Sequence, residues 1–446
     1  MNRQEVLERL TSIVGPDYVT DEEFLLMTYT RDFGIQPPRW PALVVRPGST
    51  EEVVEVVKLA NTYGIPISPR GGGSAQEGGC QSEGGIVLET LRMNRILDID
   101  EDTGTVTVQC GITFVKLMSE LEKRGWKIGI APSGAMAGTP GAHVSRPGVG
   151  WGNVKYVSQG DQVIGLKVVL PTGKVVETGT AANPNSDAFF RYGLGPDLAG
   201  LFIGAEGAFG VVSEITLRMY PWPKKIYLER YIGTDLGDAI DIYREIAHHN
   251  LVCYISNPLI EPGKVLFDVN VEGDEPEVEH RLKRIREIIS RYPSVRFEGP
   301  DGPMAFWKNR WFNTGEEFQQ GIAGAVNYFL PFSKLEDATL AMREIMDRHE
   351  IKHYAQQMFP EPTGAEHVSL LFHHPGDTAE YEKIRVAAGE MMDTALRLGG
   401  APYSKGRQWA SHLEKHLGDS GYWGMLKAIK KTLDPNHIMN PGVVGL

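Results

Sequence analysis

Cysteine is scarce. The 446 residues contain three, Cys80, Cys110 and Cys253, and no two of them form a CxxC pair. So sparse and odd a set offers neither a disulfide framework nor the spacing of a zinc or iron–sulfur site, and it fits a reducing compartment. Positive charge is also short: 45 lysines and arginines against 57 aspartates and glutamates, a net charge of −12. That balance argues against a general nucleic-acid binder, which needs a basic footprint. No apolar run approaches the ~20 residues needed to cross a bilayer. The opening MNRQEVLERLTSIVG lacks a signal-peptide core and reads as a short amphipathic helix. These absences point to a cytoplasmic protein with no transmembrane segment, leaving open attachment to a membrane surface through a partner. Any electron-transfer cluster belongs on another chain.

Glycine, by contrast, is plentiful, with 51 residues. The densest stretch is Pro69-Arg70-Gly71-Gly72-Gly73-Ser74, continuing to Gly78 and Gly79. It follows the strand-like run Ile65-Pro66-Ile67-Ser68 and, before that, a helical segment with Val53, Val54, Val56, Val57, Leu59 and Ala60. Three consecutive glycines remove every Cβ from a sharp turn, so the backbone can approach a ligand closely. Successive N–H groups in such a turn form an anion-binding nest, suited to the pyrophosphate of a dinucleotide. No Gly-Lys-Ser/Thr follows, which rules out a Walker loop, and no helix clearly starts at Gly73, which sets it apart from a Rossmann fingerprint. Alone, the loop also has a bland, less favoured reading as a flexible surface turn.

From residue 42 to about 220 the pattern mixes strands and helices. A strand at 42–45 precedes a helix at 50–63. Hairpins are expected around Glu101-Asp102-Thr103-Gly104 and Pro171-Thr172-Gly173-Lys174, where turn residues separate β-branched runs. Helical spacing covers 112–125. Tyr220-Pro221-Trp222-Pro223 breaks the pattern and marks a boundary. Beyond it, strands are expected at 226–232, 264–271, 294–298, 325–332, 352–359 and 367–373, with helices at 235–249, 276–291, 334–348 and 378–398. Such strand–helix alternation suggests a ferredoxin-like α+β layer of two units side by side. A last helix, 423–432, stops at Asp434-Pro435-Asn436.

Three more segments join the glycine loop: Pro132-Ser133 with Thr139-Pro140-Gly141-Ala142, then Gly204-Ala205-Glu206-Gly207-Ala208-Phe209-Gly210-Val211-Val212, and finally Leu433-Asp434-Pro435 with Asn440-Pro441-Gly442. Together the four resemble the FAD-linked oxidases and dehydrogenases of the vanillyl-alcohol oxidase and para-cresol methylhydroxylase superfamily, most closely its glycolate oxidase and D-lactate dehydrogenase branch. The resemblance spans nearly the whole chain. It implies an α+β protein: a PCMH-type FAD-binding domain over 1–222, a substrate (cap) domain over 223–420, and a C-terminal segment, 421–446, returning to the FAD domain. It implies FAD contacts from Pro69, Arg70, Gly71, Gly72, Gly73, Ser74 and Gly78 on the pyrophosphate. Pro132, Ser133, Thr139, Gly141 and Ala142 would lie on the flavin and ribityl side. Glu206, Gly207, Gly210 and Val212 would lie near the adenine half, with Asn440 returning to the flavin domain.

Departures from that family carry information too. Members with a covalent flavin often have a histidine just after the glycine loop; here the sequence is Gly-Gly-Gly-Ser-Ala-Gln, so a non-covalent FAD is expected. The hydroxy-acid branch carries His-x-Gly-Asp-Gly-Asn-x-His before its last long helix and Gly-Glu-His-Gly after it. Here these become Pro360-Glu361-Pro362-Thr363-Gly364-Ala365-Glu366-His367 and Pro402-Tyr403-Ser404-Lys405-Gly406-Arg407. With two ligands missing, no metal is expected. His367 and Tyr403 are candidates for assisting loss of a hydroxyl proton. Arg310, in a Trp-x-x-Arg pattern with Trp307, and Lys405 and Arg407 are candidates for holding a negative substrate group. Each also has a bland reading, as a structural histidine, a stacked arginine or a solvated polar turn. His143, Trp151, His373 and His374 receive no role. The expected reaction is oxidation of a hydroxy acid or related alcohol by hydride transfer to the flavin. The electrons would go to a protein acceptor (iron–sulfur, cytochrome or electron-transfer flavoprotein) or to a quinone, in a homo- or hetero-oligomer. Oxidation of a phenol, or a flavin subunit that only relays electrons, are the alternatives.

Overall fold

A computed structural model describes residues 3–310, 322–374 and 376–446. The first of three sheets contains β1 (Val19–Thr20), β2 (Leu43–Val45), β3 (Ile67–Arg70) and β4 (Ile86–Glu89), in the order β1-β2-β4-β3. β4 runs parallel to both its neighbours β2 and β3. The crossover from β2 to β3 is the helix Thr50–Tyr63. Ser49 caps its first turn by accepting from the Glu52 N–H at 3.3 Å, and Gly64 ends it at φ +64°. Val53, Val56, Val57 and Ala60 form its buried stripe.

The second sheet contains β5 (Ile96–Asp100), β6 (Thr105–Gln109), β7 (Trp126–Ile128), β8 (Val163–Val169), β9 (Val175–Glu177) and β10 (Val211–Pro221). Its order is β5-β6-β10-β8-β9, with β7 against the end of β10. Both expected hairpins form, β5–β6 and β8–β9. The Asp100 carboxylate shapes the first turn by accepting from the N–H groups of Asp102 and Thr103.

The third sheet has eight strands: β11 (Lys225–Gly233), β12 (Tyr254–Glu261), β13 (Lys264–Gly273), β14 (Val295–Gly299), β15 (Ile322–Leu330), β16 (Tyr354–Glu361), β17 (Gly364–His373) and β18 (Ala401–Pro402). The order β14-β11-β13-β12-β16-β17-β15-β18 resolves into two β-α-β-β-α-β units joined edge to edge by β12 and β16. Helices Leu236–His248 and Glu275–Ile289 serve the first unit; Leu335–Arg348 and Thr378–Arg397 serve the second. All four pack with the sheet into one apolar core that includes Val269, Ile285, Met342 and Met391. The two units match the ferredoxin-like expectation, but each contains a strand the pattern did not show, β12 and β18. The expected strand at 352–359 runs on to Glu361, and its partner begins at Gly364, so the hairpin turn is only Pro362-Thr363.

After the helix Gly421–Leu433 the chain returns to the first sheet. The Ile67 N–H donates to Ile438 O at 2.7 Å, and the Asn440 N–H to Ile67 O at 2.8 Å. Among the described residues no helix is long and apolar enough to cross a membrane.

Candidate active site

A cleft opens where β3, the helix Pro140–Val144, the start of β10 and the loop after β18 meet. One wall is the glycine loop, with Pro69, Arg70, Gly71, Gly73 and Ser74. Gly141 and Ala142 form a second wall; Glu206, Gly207, Gly210 and Val212 form a third. The sequence therefore brought three separated motifs to one cavity.

The glycines are required by their neighbours. A Cβ on Gly72 would lie 1.9 Å from the Ala137 carbonyl oxygen, and one on Gly71 would lie 2.4 Å from Thr139 Oγ1. Gly141 meets Cys110 in the same way, at 2.7 Å. Gly73 adopts φ +69°, where an L side chain is strained. Among the described residues, the N–H groups of Gly71, Gly72, Gly73 and Ser74 donate to no backbone acceptor. A Cβ-free cradle with open N–H groups fits the pyrophosphate of FAD. Thr139 lines up behind it, its Oγ1 accepting from the Ala142 N–H at 3.4 Å to cap the Pro140–Val144 helix.

Several expected cofactor residues act as clamps. Glu206, at φ +51°, accepts from Ser404 Oγ (3.1 Å) and from the N–H groups of Lys405 and Gly406 (both 2.7 Å). Its carboxylate thus fastens the loop after β18 to the cofactor-side sheets. Asn440 Nδ2 donates to Glu206 O (2.6 Å) and Gly79 O (2.8 Å), while its Oδ1 accepts from Arg407 at 2.8 Å. The Gly78 N–H donates to Asp32 at 2.6 Å. Arg70 lines the cleft, but its guanidinium donates to Arg31 O and lies over the Tyr29 ring.

The guanidinium of Arg407 is taken up by Gly78 O, Gly79 O, Ser68 Oγ and Asn440, and so supports the glycine loop. His367 is not among the residues that line the cleft. It pairs with Tyr328 and Met358 across the sheet, stacks on the Tyr328 ring at 5.2 Å, and so points into the helix-side core. Burial, with Arg343 nearby, holds its pKa down at about 3. His373 shares that face, against Tyr381. Side chains alternate along a strand, so the opposite face of β17 carries Glu366, Val368, Leu370 and Phe372, the last three in a separate apolar cluster.

Glu366 is buried, and its electrostatic neighbours are Glu77 and Arg146, both lining the cleft. Burial, then Glu77, pushes its pKa up to about 8, against the pull of Arg146. Glu361, half-buried on the paired strand, is likewise pushed up to about 8. Arg146 pairs with Glu77 at 3.4 Å and lies 5.5 Å from the Tyr403 ring centre. Tyr403 is delivered by β18, its N–H donating to Asn327 O at 3.1 Å. Lys405 is held by its backbone, and burial lowers its side-chain pKa. Glu77, Arg146 and Glu366 carry no motif, and only their place in the fold identifies them.

Arg310 lies over the Trp307 ring at 4.1 Å and donates to Trp307 O; Trp311 lies outside the described residues. Trp151 belongs to the same aromatic group, stacked on Tyr254 at 6.2 Å. His143 is buried, its Nε2 3.1 Å from Val149 O, and burial holds its pKa near 3. Pro132 is half-buried and Ser133 exposed, just beyond the bridge from Ala131 to Trp151.

Two family models match the chain: an FAD binding domain over residues 41–179, and the C-terminal domain of FAD linked oxidases over 237–444. An uncharacterized FAD-linked oxidoreductase of Mycobacterium tuberculosis is 30% identical, covering 99% of each chain. The glycolate oxidase subunit GlcD of Bacillus subtilis is 28% identical, over 99% of this chain and 97% of its own. Among solved structures, a p-cresol methylhydroxylase with substrate bound has the same fold, at TM-score 0.89 and 19% identity, covering 99% of this chain and 96% of that one.

Proposed function

This chain belongs to the FAD-linked oxidases and dehydrogenases, and from that premise we propose that it oxidises a hydroxy acid or a related alcohol. Bound FAD supplies the two-electron acceptor for a hydride from the carbinol carbon. The glycine loop would hold the pyrophosphate through its open N–H groups. The observation that carries the reading is a cleft that the glycine loop shares with the ion pair Arg146–Glu77, with Tyr403 lying 5.5 Å from Arg146. Arg146 would orient an anionic or hydroxyl-bearing end of the substrate. The names of relatives, glycolate oxidase and a D-lactate dehydrogenase [cytochrome] of Arabidopsis thaliana, support this substrate class and an electron acceptor on a protein. A phenolic substrate is the second reading, favoured by the apolar face of Val368, Leu370 and Phe372 beside Glu366.

Anaerobic mixing of the FAD-loaded protein with D-lactate, glycolate and p-cresol tests the reading. Bleaching of the flavin absorption by a hydroxy acid is the expected result, and bleaching by p-cresol alone would replace it with the phenolic one. If none bleaches the flavin, the substrate proposal fails, and a subunit that relays electrons from a partner becomes the better account.

The flavin is proposed to be held non-covalently. Ser74, Ala75 and Gln76 stand where a linking histidine would follow the loop. The cysteines lining the cleft are poor nucleophiles, because burial pushes the Cys80 thiol up to about 11 and Cys110 to about 12. Acid precipitation should leave the yellow colour in the supernatant; colour kept in the pellet would refute this.

A further inference from the structure

We propose that Glu366, on the face of β17 turned away from the helix-side core, is the group that accepts the substrate's hydroxyl proton, in the place where the neighbouring His367 faces the helices. This rests on the alcohol-oxidation reading above. Three geometric observations carry it. First, β17 pairs Glu366 with Phe329 and Phe359, while His367 pairs with Tyr328 and Met358 in the helix-side core. The two neighbours therefore face opposite sides of the sheet. Second, Glu366 is buried on the face it shares with its cross-strand partner Phe329, whose ring lies 6.1 Å from that of Tyr403; Arg146, which lines the cleft, lies 5.5 Å from the same Tyr403 ring. The electrostatic neighbours of Glu366 include Glu77 and Arg146 of the cleft, and its own charge bears on Tyr403 and Glu361. Third, both ring nitrogens of His367 are buried away from the cleft without a hydrogen bond, leaving that histidine no route to a substrate there.

The proton balance is simple. As the carbinol C–H bond gives up its hydrogen with both electrons, the O–H bond breaks and its proton passes to a carboxylate oxygen of Glu366, leaving a carbonyl product. Burial and Glu77 raise the Glu366 pKa to about 8, near the value at which a base works best at physiological pH. Because Glu361, also about 8, and Glu77 interact with it, the observed titration belongs to the group as a whole.

The test uses the FAD-loaded protein and Glu366→Gln, which keeps the shape and hydrogen bonding of the side chain. Infrared difference spectra without substrate should show a protonated carboxyl signal that disappears as pH rises through about 8, and this component should be missing from Glu366→Gln. With whichever of D-lactate, glycolate or p-cresol reduces the wild-type flavin, the variant should be slower by between about 100- and 10,000-fold, the range of general base catalysis. The rise of the wild-type rate with pH should flatten. An unchanged carboxyl titration in Glu366→Gln, or a wild-type rate and pH profile, would overturn the proposal. So would a pH limb abolished by His367→Gln and kept by Glu366→Gln. If no probe reduces the flavin, the alcohol-oxidation reading fails, while the infrared titration still decides whether Glu366 is the titrating carboxyl.

Discussion

At the scale of single residues, contiguous motifs were readable and isolated side chains were not. The glycine loop announces itself because three adjacent residues lack a Cβ, and the structure shows what each would strike. Gly72 is the sharpest case, with a carbonyl oxygen 1.9 Å from where a Cβ would stand. Gly72→Ala should therefore displace the Ala137 segment and close the cradle, so the variant should purify without flavin and fail to regain the FAD spectrum on reconstitution. Far-ultraviolet circular dichroism near that of the parent would show that the loss is local. FAD retained with normal affinity would mean that the loop does not hold the cofactor. Glu366 and Arg146 were invisible for the opposite reason. Along a strand, sequence gives two alternating sets of residues but not which set faces a cavity. His367, one residue from Glu366, belongs to the set that faces the helices.

At the scale of elements, turns and helices with strong local chemistry were legible. The Asp100 turn and the helices capped by Ser49, Asp235, Asp274 and Asp377 lie where pattern placed them, to within a few residues. β12 was not. It reads Tyr-Ile-Ser-Asn-Pro-Leu-Ile-Glu, and a proline in a run of this kind argues against a central strand. The structure accommodates Pro258 with a register shift between Ser256 and Leu259, a bulge that drops the ladder bond proline cannot make. β18 is only two residues long and is held by pairing to β15, so nothing local marks it. Yet these two strands matter most to the site. β12 joins the two ferredoxin-like units, and β18 leads into Ser404, which lines the cleft, and Tyr403, which lies against Arg146. Long-range pairing, not propensity, created them.

At the scale of the whole molecule, the site exists only while the eight-stranded sheet stays closed over the cofactor-side sheets, and a buried ionic group holds them together. Glu272 of β13 accepts from Lys127 of β7 (2.5 Å), and from Lys155 (3.0 Å) and Tyr156 (2.7 Å) of the short helix Asn153–Tyr156. Burial alone would raise the Glu272 pKa, but the two ammonium groups outweigh it and hold it at about 2. A folded-state pKa below the unfolded one contributes stability that is fully present above the unfolded value, near 4.5, and is lost as pH falls through about 2. The shift corresponds to roughly 3 kcal/mol. Glu272→Gln removes the charge and leaves two partly buried ammonium groups without their anion, a change that costs at most the ~3–5 kcal/mol seen when one partner of a fully buried pair is lost. The variant should unfold at lower denaturant than the parent at pH 7. Between pH 4.5 and 2.5 the gap should narrow, because the parent loses its advantage over that interval while the glutamine does not titrate. If the link also holds the sheets closed, flavin fluorescence should be released from the variant at lower denaturant than global unfolding requires. A difference in stability between the two proteins that stays constant down to pH 2.5 would show that Glu272 is not the acid-sensitive fastening between these sheets.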